Sequence, residues 1–197
     1  MNKKIAVTLY AILLVASGGS QTQTTAETVG PAQVFEVRIT TIEDEVVPAA
    51  EAMPEDKYSF APAGGEFAGV RTFAEQVKHV AAANYQLASP VLGEEPPAGT
   101  RGEMAPPSVK TKAQIIEYLK GSFACLHRAA ATITPENITQ PIPGTSGTWQ
   151  RTRLGRLMDA LAHASNHYGQ MVEYLRMNRI IPPASRKNVA KKDPHFI

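Results

Sequence analysis

The chain has five histidines, and two of them, His163 and His167, stand four residues apart in the stretch DALAHASNHYGQMVEYLRMNR. If this stretch is helical, that spacing places both imidazoles on one face, one turn apart. Neutral imidazole nitrogens bind divalent transition metals, and a three-histidine site leaves a fourth position for water or a substrate. The pair alone is a weak signal, because packing and surface histidines also occur at this spacing.

A third histidine, His79, lies in another segment with helical periodicity. It shares a face with Ala82, Ala83 and Gln86, and the small residues would let a second helix approach closely. If that helix faces the one that carries the 163/167 pair, three imidazoles can reach one ion. Surface histidines at a dimer contact explain the same pattern without a metal, so the spacing leaves both interpretations open.

Four segments have the apolar periodicity of amphipathic helices. The first contains Pro48, which is expected to kink or end it. The second and third begin with capping boxes, Thr72-x-x-Glu75 and Thr111-x-x-Gln114. The fourth is expected to run for about thirty residues and to end before Pro182-Pro183. The predicted core stripes of the first three helices are Phe35, Ile39, Ile42, Val46, Ala49 and Met53; Phe73, Val77, Val80, Asn84, Leu87 and Val91; and Ile115, Leu119, Phe123, Leu126 and Ile133.

The fourth helix is expected to turn its histidines away from the core. Its apolar stripe is Leu154, Leu157, Met158, Leu161, Tyr168, Val172 and Leu175. His163 and His167 fall nearly opposite this stripe, and their face contains few charged residues. A polar face with few charges on a long helix indicates a cleft wall or a subunit contact.

No segment alternates strongly enough to predict a strand, and no internal repeat is present. The sequence therefore predicts an all-α protein, a four-helix bundle with long first and third connections. With 43% hydrophobic and 19% charged residues, the composition is that of one globular domain. We divide the chain into a signal peptide at 1–18, a polar linker at 19–33, the bundle at 34–185 and a basic tail at 186–197.

The N-terminus has the layout of a secretory signal peptide. Lys3 and Lys4 precede an apolar run at 5–16, which is too short to span a bilayer, and small residues follow. We expect export to the periplasm or the medium, without stable membrane insertion after signal removal; an uncleaved anchor is the alternative. Loss of both lysines from the 20 Lys and Arg would balance the 18 Asp and Glu, which gives no electrostatic reason to expect a nucleic-acid partner.

Three stretches resemble the DinB/YfiT-like family of metal-dependent proteins. They are MPEDKYSFAP after the first helix, TFAEQVKHVAAANY on the second, and HASNHYGQMVEYLRMNRIIPPASR on the fourth. The resemblance implies an up-down-down-up bundle in which His79, His163 and His167 hold one divalent ion. Zinc or nickel suits such a nitrogen-only site, whereas calcium and magnesium prefer oxygen ligands. His127 and His195 match no ligand position of the family.

The resemblance also implies a function, a metal-dependent hydrolase or transferase that acts on an unidentified small molecule. Relatives include thiol S-transferases and a mycothiol-dependent isomerase, whose thiol cofactors are cytoplasmic, in contrast to an exported chain. The alternative is a non-catalytic, stress-related metal-binding module. The catalytic residues are not predicted; Glu75 and Tyr174 are the nearest candidates for a general base.

Self-association is expected as well, because members of the family are often homodimers. The apolar residues predicted on outward helix faces, Tyr85, Met171 and Tyr174, would offer contact area.

Overall fold

The computed structural model describes residues 28–101, 104–145 and 151–189. Within these ranges the protein is all-helical and contains no strand. Its elements are α1 (Pro31–Ala52), a 3-10 turn (Glu55–Lys57), α2 (Phe73–Leu92), α3 (Lys112–Ala131), α4 (Arg153–Met177) and α5 (Pro183–Val189). No described helix is long and apolar enough to cross a membrane. The predicted signal peptide and His195 lie outside the described residues.

The helix starts follow the capping signals in the sequence. Thr72 accepts a hydrogen bond from the backbone of Glu75, whose carboxylate accepts one from the Thr72 backbone at 2.8 Å. Thr111 and Gln114 form the same reciprocal pair at the start of α3. Both predicted capping boxes are confirmed, and each satisfies backbone N–H groups that have no helical partner.

The four long helices form a bundle in which α1 and α2 each pack on α3 and α4. The predicted stripes of α1 and α3 are confirmed, since every residue in them is buried. The stripe of α2 is buried apart from the half-buried Leu87. Helix α1 continues through Pro48 to Ala52 rather than ending there.

The predicted inward face of α4 is only partly right, since Leu157 and Leu175 are buried but the other five residues of the stripe are not. Met158, predicted to be in the core, is 51% exposed, whereas Met171 is fully buried. The buried residues of this helix are Gly155, Leu157, Ala160, Ala164, His167, Met171, Tyr174 and Leu175. This face is rotated by about a quarter turn from the predicted stripe. The reason is that the contact of α4 with α2 uses small residues and histidine rather than leucine.

Two further expectations about α4 are wrong, one about where the helix ends and one about which residues face outward. The helix has 25 residues and ends at Met177, because Asn178 caps it and Arg179 takes a left-handed φ of 61°. Pro183 then begins α5 instead of stopping α4. Met171 and Tyr174, expected to offer an outward surface for a dimer, are buried inside the chain.

Candidate metal centre

The contact between α2 and α4 brings the three predicted histidines together. The ring centroids of His79, His163 and His167 form a triangle with sides of 4.8, 4.5 and 4.5 Å. One ring nitrogen from each lies within 4.8 Å of the other two. His79 and His167 are 5% and 8% exposed. The expectation that the histidines point away from the core is therefore wrong, although the expectation that their faces meet is confirmed.

Small residues allow the two helices to approach this closely. Ala82 and Ala83 on α2 and Ala160 and Ala164 on α4 are all buried. Because an alanine adds only a methyl group, the helices can come near enough for imidazoles from both sides to touch. The cluster thus depends on alanines that carry little hydrophobic signal in the sequence.

The surroundings keep His167 neutral. Burial lowers its pKa to about 4, and the charges of His163 and His79 add to the effect. Nε2 of His79 and Nε2 of His163 lie 3.0 Å apart. At that distance both nitrogens are close enough to bind one ion. A divalent ion held here would bind both imidazoles in their neutral form.

A chain of amides fixes the orientation of His167. Its Nδ1 lies 2.7 Å from Oε1 of Gln76, which is 3% exposed. Gln76 donates to Gln170 at 2.8 Å, and Gln170 donates to Asn166 at 2.8 Å. Since Gln76 offers its oxygen, Nδ1 of His167 carries the proton and Nε2 keeps its lone pair for a ligand.

The donor set fits a divalent transition metal. Two nitrogens bound tetrahedrally to one such ion at about 2.1 Å are about 3.4 Å apart. The nitrogen–nitrogen separations in the cluster, which are 3.0 Å for His79 and His163 and at most 4.8 Å for any pair, lie on both sides of this value. Small rotations of the side chains would therefore bring all three nitrogens to binding distance of one ion. The donors are nitrogen only, which disfavours calcium and magnesium.

Two clefts open beside the cluster. One, which we name the Arg156 cleft, has a volume of about 540 Å³ and is lined by residues that include Gln86, Arg156, Asp159, His163 and His167. The other, the Arg71 cleft, is of similar size, and Arg71, Glu75, Lys78, His79 and Met104 lie on its walls. A small molecule can therefore approach the histidines along either side of the α2–α4 contact.

The two candidate general bases have structural roles. The carboxylate of Glu75 is held by the backbone and hydroxyl of Thr72, and the backbone hydrogen bond holds its pKa below the usual range. Tyr174 donates to the carbonyl of Arg71 at 2.9 Å and packs edge-on against Phe60 at 5.8 Å. Glu75 thus caps α2, and Tyr174 ties α4 to the segment before α2.

His127 lies on the other side of the bundle. Its ring bridges Glu36 at 2.9 Å and Glu43 at 2.8 Å, so it links α3 to α1. Partial burial alone would lower its pKa, but the hydrogen bonds to the two carboxylates outweigh burial and raise the pKa of His127 above 6.5.

Sequence reasoning missed the amide chain. Gln76 was the residue with a usable signal, because it precedes His79 by three positions and so shares a face with it. The contact of Gln76 with Gln170 joins positions 94 residues apart, so no local spacing connects the two.

Comparison with known proteins places the chain in a family. No curated protein matches it. The family model described as the DinB superfamily matches residues 38–171, a range that contains all three clustered histidines. The chain therefore belongs to the DinB superfamily.

Proposed function

We propose that this protein binds one divalent metal ion on His79, His163 and His167 and acts as a metal-dependent hydrolase or transferase on a small molecule. The observation that carries the proposal is the cluster itself, three imidazoles from two helices with one nitrogen each within 4.8 Å of the others. Zinc or nickel is the proposed ion because the donors are all nitrogen. A cluster of mostly buried imidazoles has no evident packing advantage over apolar residues, which favours a ligand role.

The side chains around the cluster have separable tasks. A divalent ion on three imidazoles supplies Lewis-acid chemistry at the coordination position left open. Gln76 holds His167 in the tautomer that presents Nε2. The Arg156 cleft, at about 540 Å³, has room for a small substrate beside His163 and His167.

The test combines metal analysis with an activity screen on the full chain. We expect one ion per chain in the wild-type protein, a loss of metal in His163→Ala, and full retention in His127→Ala, the histidine control outside the cluster. Turnover of an ester, amide or thiol substrate that disappears in His163→Ala would identify an enzyme. Metal binding without turnover in a broad screen would favour the non-catalytic module, and a wild-type protein without metal affinity would reject both.

We further propose the up-down-down-up arrangement for the four long helices. It is supported by contacts at one end of the bundle. Lys112, at the start of α3, donates to the carbonyl of Met53 just after α1. Tyr174, near the end of α4, donates to the carbonyl of Arg71 just before α2. Both contacts fit the proposed arrangement, in which the ends of α1 and α4 lie with the starts of α2 and α3.

Export is proposed from the sequence of the first 18 residues. N-terminal sequencing of the protein from its own host should give a start beyond the apolar run at 5–16. An intact Met1 on protein from the soluble cytoplasmic fraction would contradict export.

A homodimer is proposed from family membership alone, because Met171 and Tyr174 are not available as a contact surface. Light scattering should give about twice the chain mass of 21.2 kDa, reduced by the signal peptide if it is removed. A single-chain mass at high concentration would contradict the dimer.

A further inference from the structure

The Arg156 cleft contains two opposite charges on the helix that also carries two of the clustered histidines. Arg156, Asp159 and His163 follow one another at spacings of three and four on α4, and all three line the cleft. Seven residues of helix separate Arg156 from His163, a rise of about 10 Å. The cleft therefore has a charged end and a histidine end, separated by the length of a small molecule.

One hydrogen-bond donor of Arg156, its Nε–H group, lacks an acceptor in the described part of the protein around it. Its Nε is shielded from solvent and hydrogen-bonds none of the described residues, Asp159 included. A buried donor without a partner destabilises the folded protein. The guanidinium also lies on the wall of the cleft, so a ligand with a planar oxyanion group can accept two parallel hydrogen bonds from its terminal nitrogens.

Asp159 stands one turn further along the same wall. Burial raises the pKa of its carboxyl group, and the nearby Arg156 lowers it, so the two charges act on each other. Other residues on the walls are uncharged; among them are Ala83, Leu87, Ala162 and the amides of Gln86 and Asn166. A purely anionic ligand would meet repulsion from Asp159, whereas a ligand with a cation next to its carboxylate would pair with both residues.

We propose that the Arg156 cleft binds the amino-acid end of a small substrate, with the α-carboxylate on Arg156 and the α-ammonium on Asp159. The other end of the substrate then points along α4 toward His163 and His167. This assignment rests on the proposed function, since it supplies a substrate class to the same metal centre. It selects free amino acids and their side-chain derivatives over simple carboxylic acids, which would leave Asp159 unpaired.

The test uses three hydroxamates, because a hydroxamate binds an open metal position whatever its tail. They are acetohydroxamate, glutaric acid monohydroxamate and L-glutamate γ-monohydroxamate, measured by calorimetry on the zinc-loaded full chain. We expect the glutamate derivative to bind at least about tenfold more tightly than the glutaric derivative, and also more tightly than acetohydroxamate.

Three variants assign the effect to individual charges. Arg156→Gln should remove the advantage of a tail carboxylate, and Asp159→Asn should remove the advantage of the ammonium group. Both should bind acetohydroxamate as the wild type does. Arg176→Gln, which removes an exposed arginine paired with Glu173 on the same helix, should change none of the three affinities.

The possible outcomes distinguish a wrong substrate class from a wrong metal site. Zinc-loaded protein that binds the glutamate derivative no more tightly than acetohydroxamate overturns the amino-acid assignment and leaves the metal centre standing. An advantage of the glutamate derivative that survives in both Arg156→Gln and Asp159→Asn also overturns it. Wild-type protein that takes up no zinc rejects the proposed function, and the substrate class with it.

Discussion

Nδ1 of His167 lies 2.7 Å from Oε1 of Gln76 on the facing helix, so a side chain outside the histidine cluster decides which nitrogen of His167 is available to a ligand. Without that acceptor the imidazole could rotate or adopt the other tautomer. Partners of this kind are the usual means by which proteins orient metal-binding histidines.

The first prediction concerns this contact. Gln76→Leu keeps the volume but removes the acceptor, and we expect zinc affinity to fall by about 10- to 100-fold. Gln76→Glu keeps an acceptor for Nδ1–H and should retain most of the affinity. Gln140→Leu, on an exposed loop, is the control and should bind as the wild type does. Competition with a chromophoric chelator measures all four proteins, and equal affinities would refute the positioning role.

The second prediction tests the observed face of α4. Met171 is fully buried and Met158 is 51% exposed, although the apolar periodicity suggested the reverse. Met171→Ala should lower the free energy of unfolding by about 2–4 kcal/mol, because it opens a cavity in the core. Met158→Ala should change it by less than about 0.5 kcal/mol. Urea unfolding in the presence of a chelator gives both values without a contribution from metal, and the reverse order would contradict the described packing.

The difference between α4 and the other helices shows what the sequence could predict. Helices α1 and α3 bury stripes of large apolar residues, such as Phe35 and Phe123, and these were identified correctly. In contrast, the contact of helix α4 with α2 is made by alanines and His167. A pattern that counts leucine as more apolar than alanine therefore identifies the half-buried side of α4, which faces α1. It misses the buried side of the same helix.

The histidine cluster was predicted only in part, and for a related reason. The spacing of His163 and His167 indicated a shared face, but their contact with His79 spans 84 residues of sequence. No local pattern specifies which faces of two distant helices meet, so the helix face made His79 only a candidate, and the family resemblance assigned it to the same site as the pair. The Gln76–Gln170 contact had no such support and was not foreseen.

The third prediction concerns metal and stability. The unfolded chain has no preformed three-histidine site, so zinc should stabilise the fold by about 2.7 kcal/mol at a free concentration of 100 times Kd. His79→Ala should abolish this gain, and His127→Ala should keep it. His79 is buried, so its replacement should also lower the melting temperature of the metal-free protein. Thermal melts with and without zinc separate the two effects, and an undiminished zinc response in His79→Ala would exclude His79 as a ligand.

The last prediction is a pH dependence that originates far from the metal centre. The carboxylates of Glu36 and Glu43 raise the pKa of His127 above its ordinary value of 6.5, against the opposing effect of partial burial. A group whose pKa is raised by folding binds its proton more tightly in the folded state. The stabilisation is therefore complete below pH 6.5 and is lost as the pH rises through the folded-state pKa.

His127→Gln should consequently cost more stability at pH 6 than at pH 9. The three side chains are 25%, 52% and 28% exposed, so solvent limits the difference to about 1 kcal/mol or less. Urea midpoints of the wild type and His127→Gln at the two pH values, each with a chelator, measure it. Glu43→Gln should remove part of the same pH dependence, because it takes away one of the two carboxylates. A cost of His127→Gln that is equal at both pH values would show that the bridge is held by packing and neutral hydrogen bonds rather than by charge.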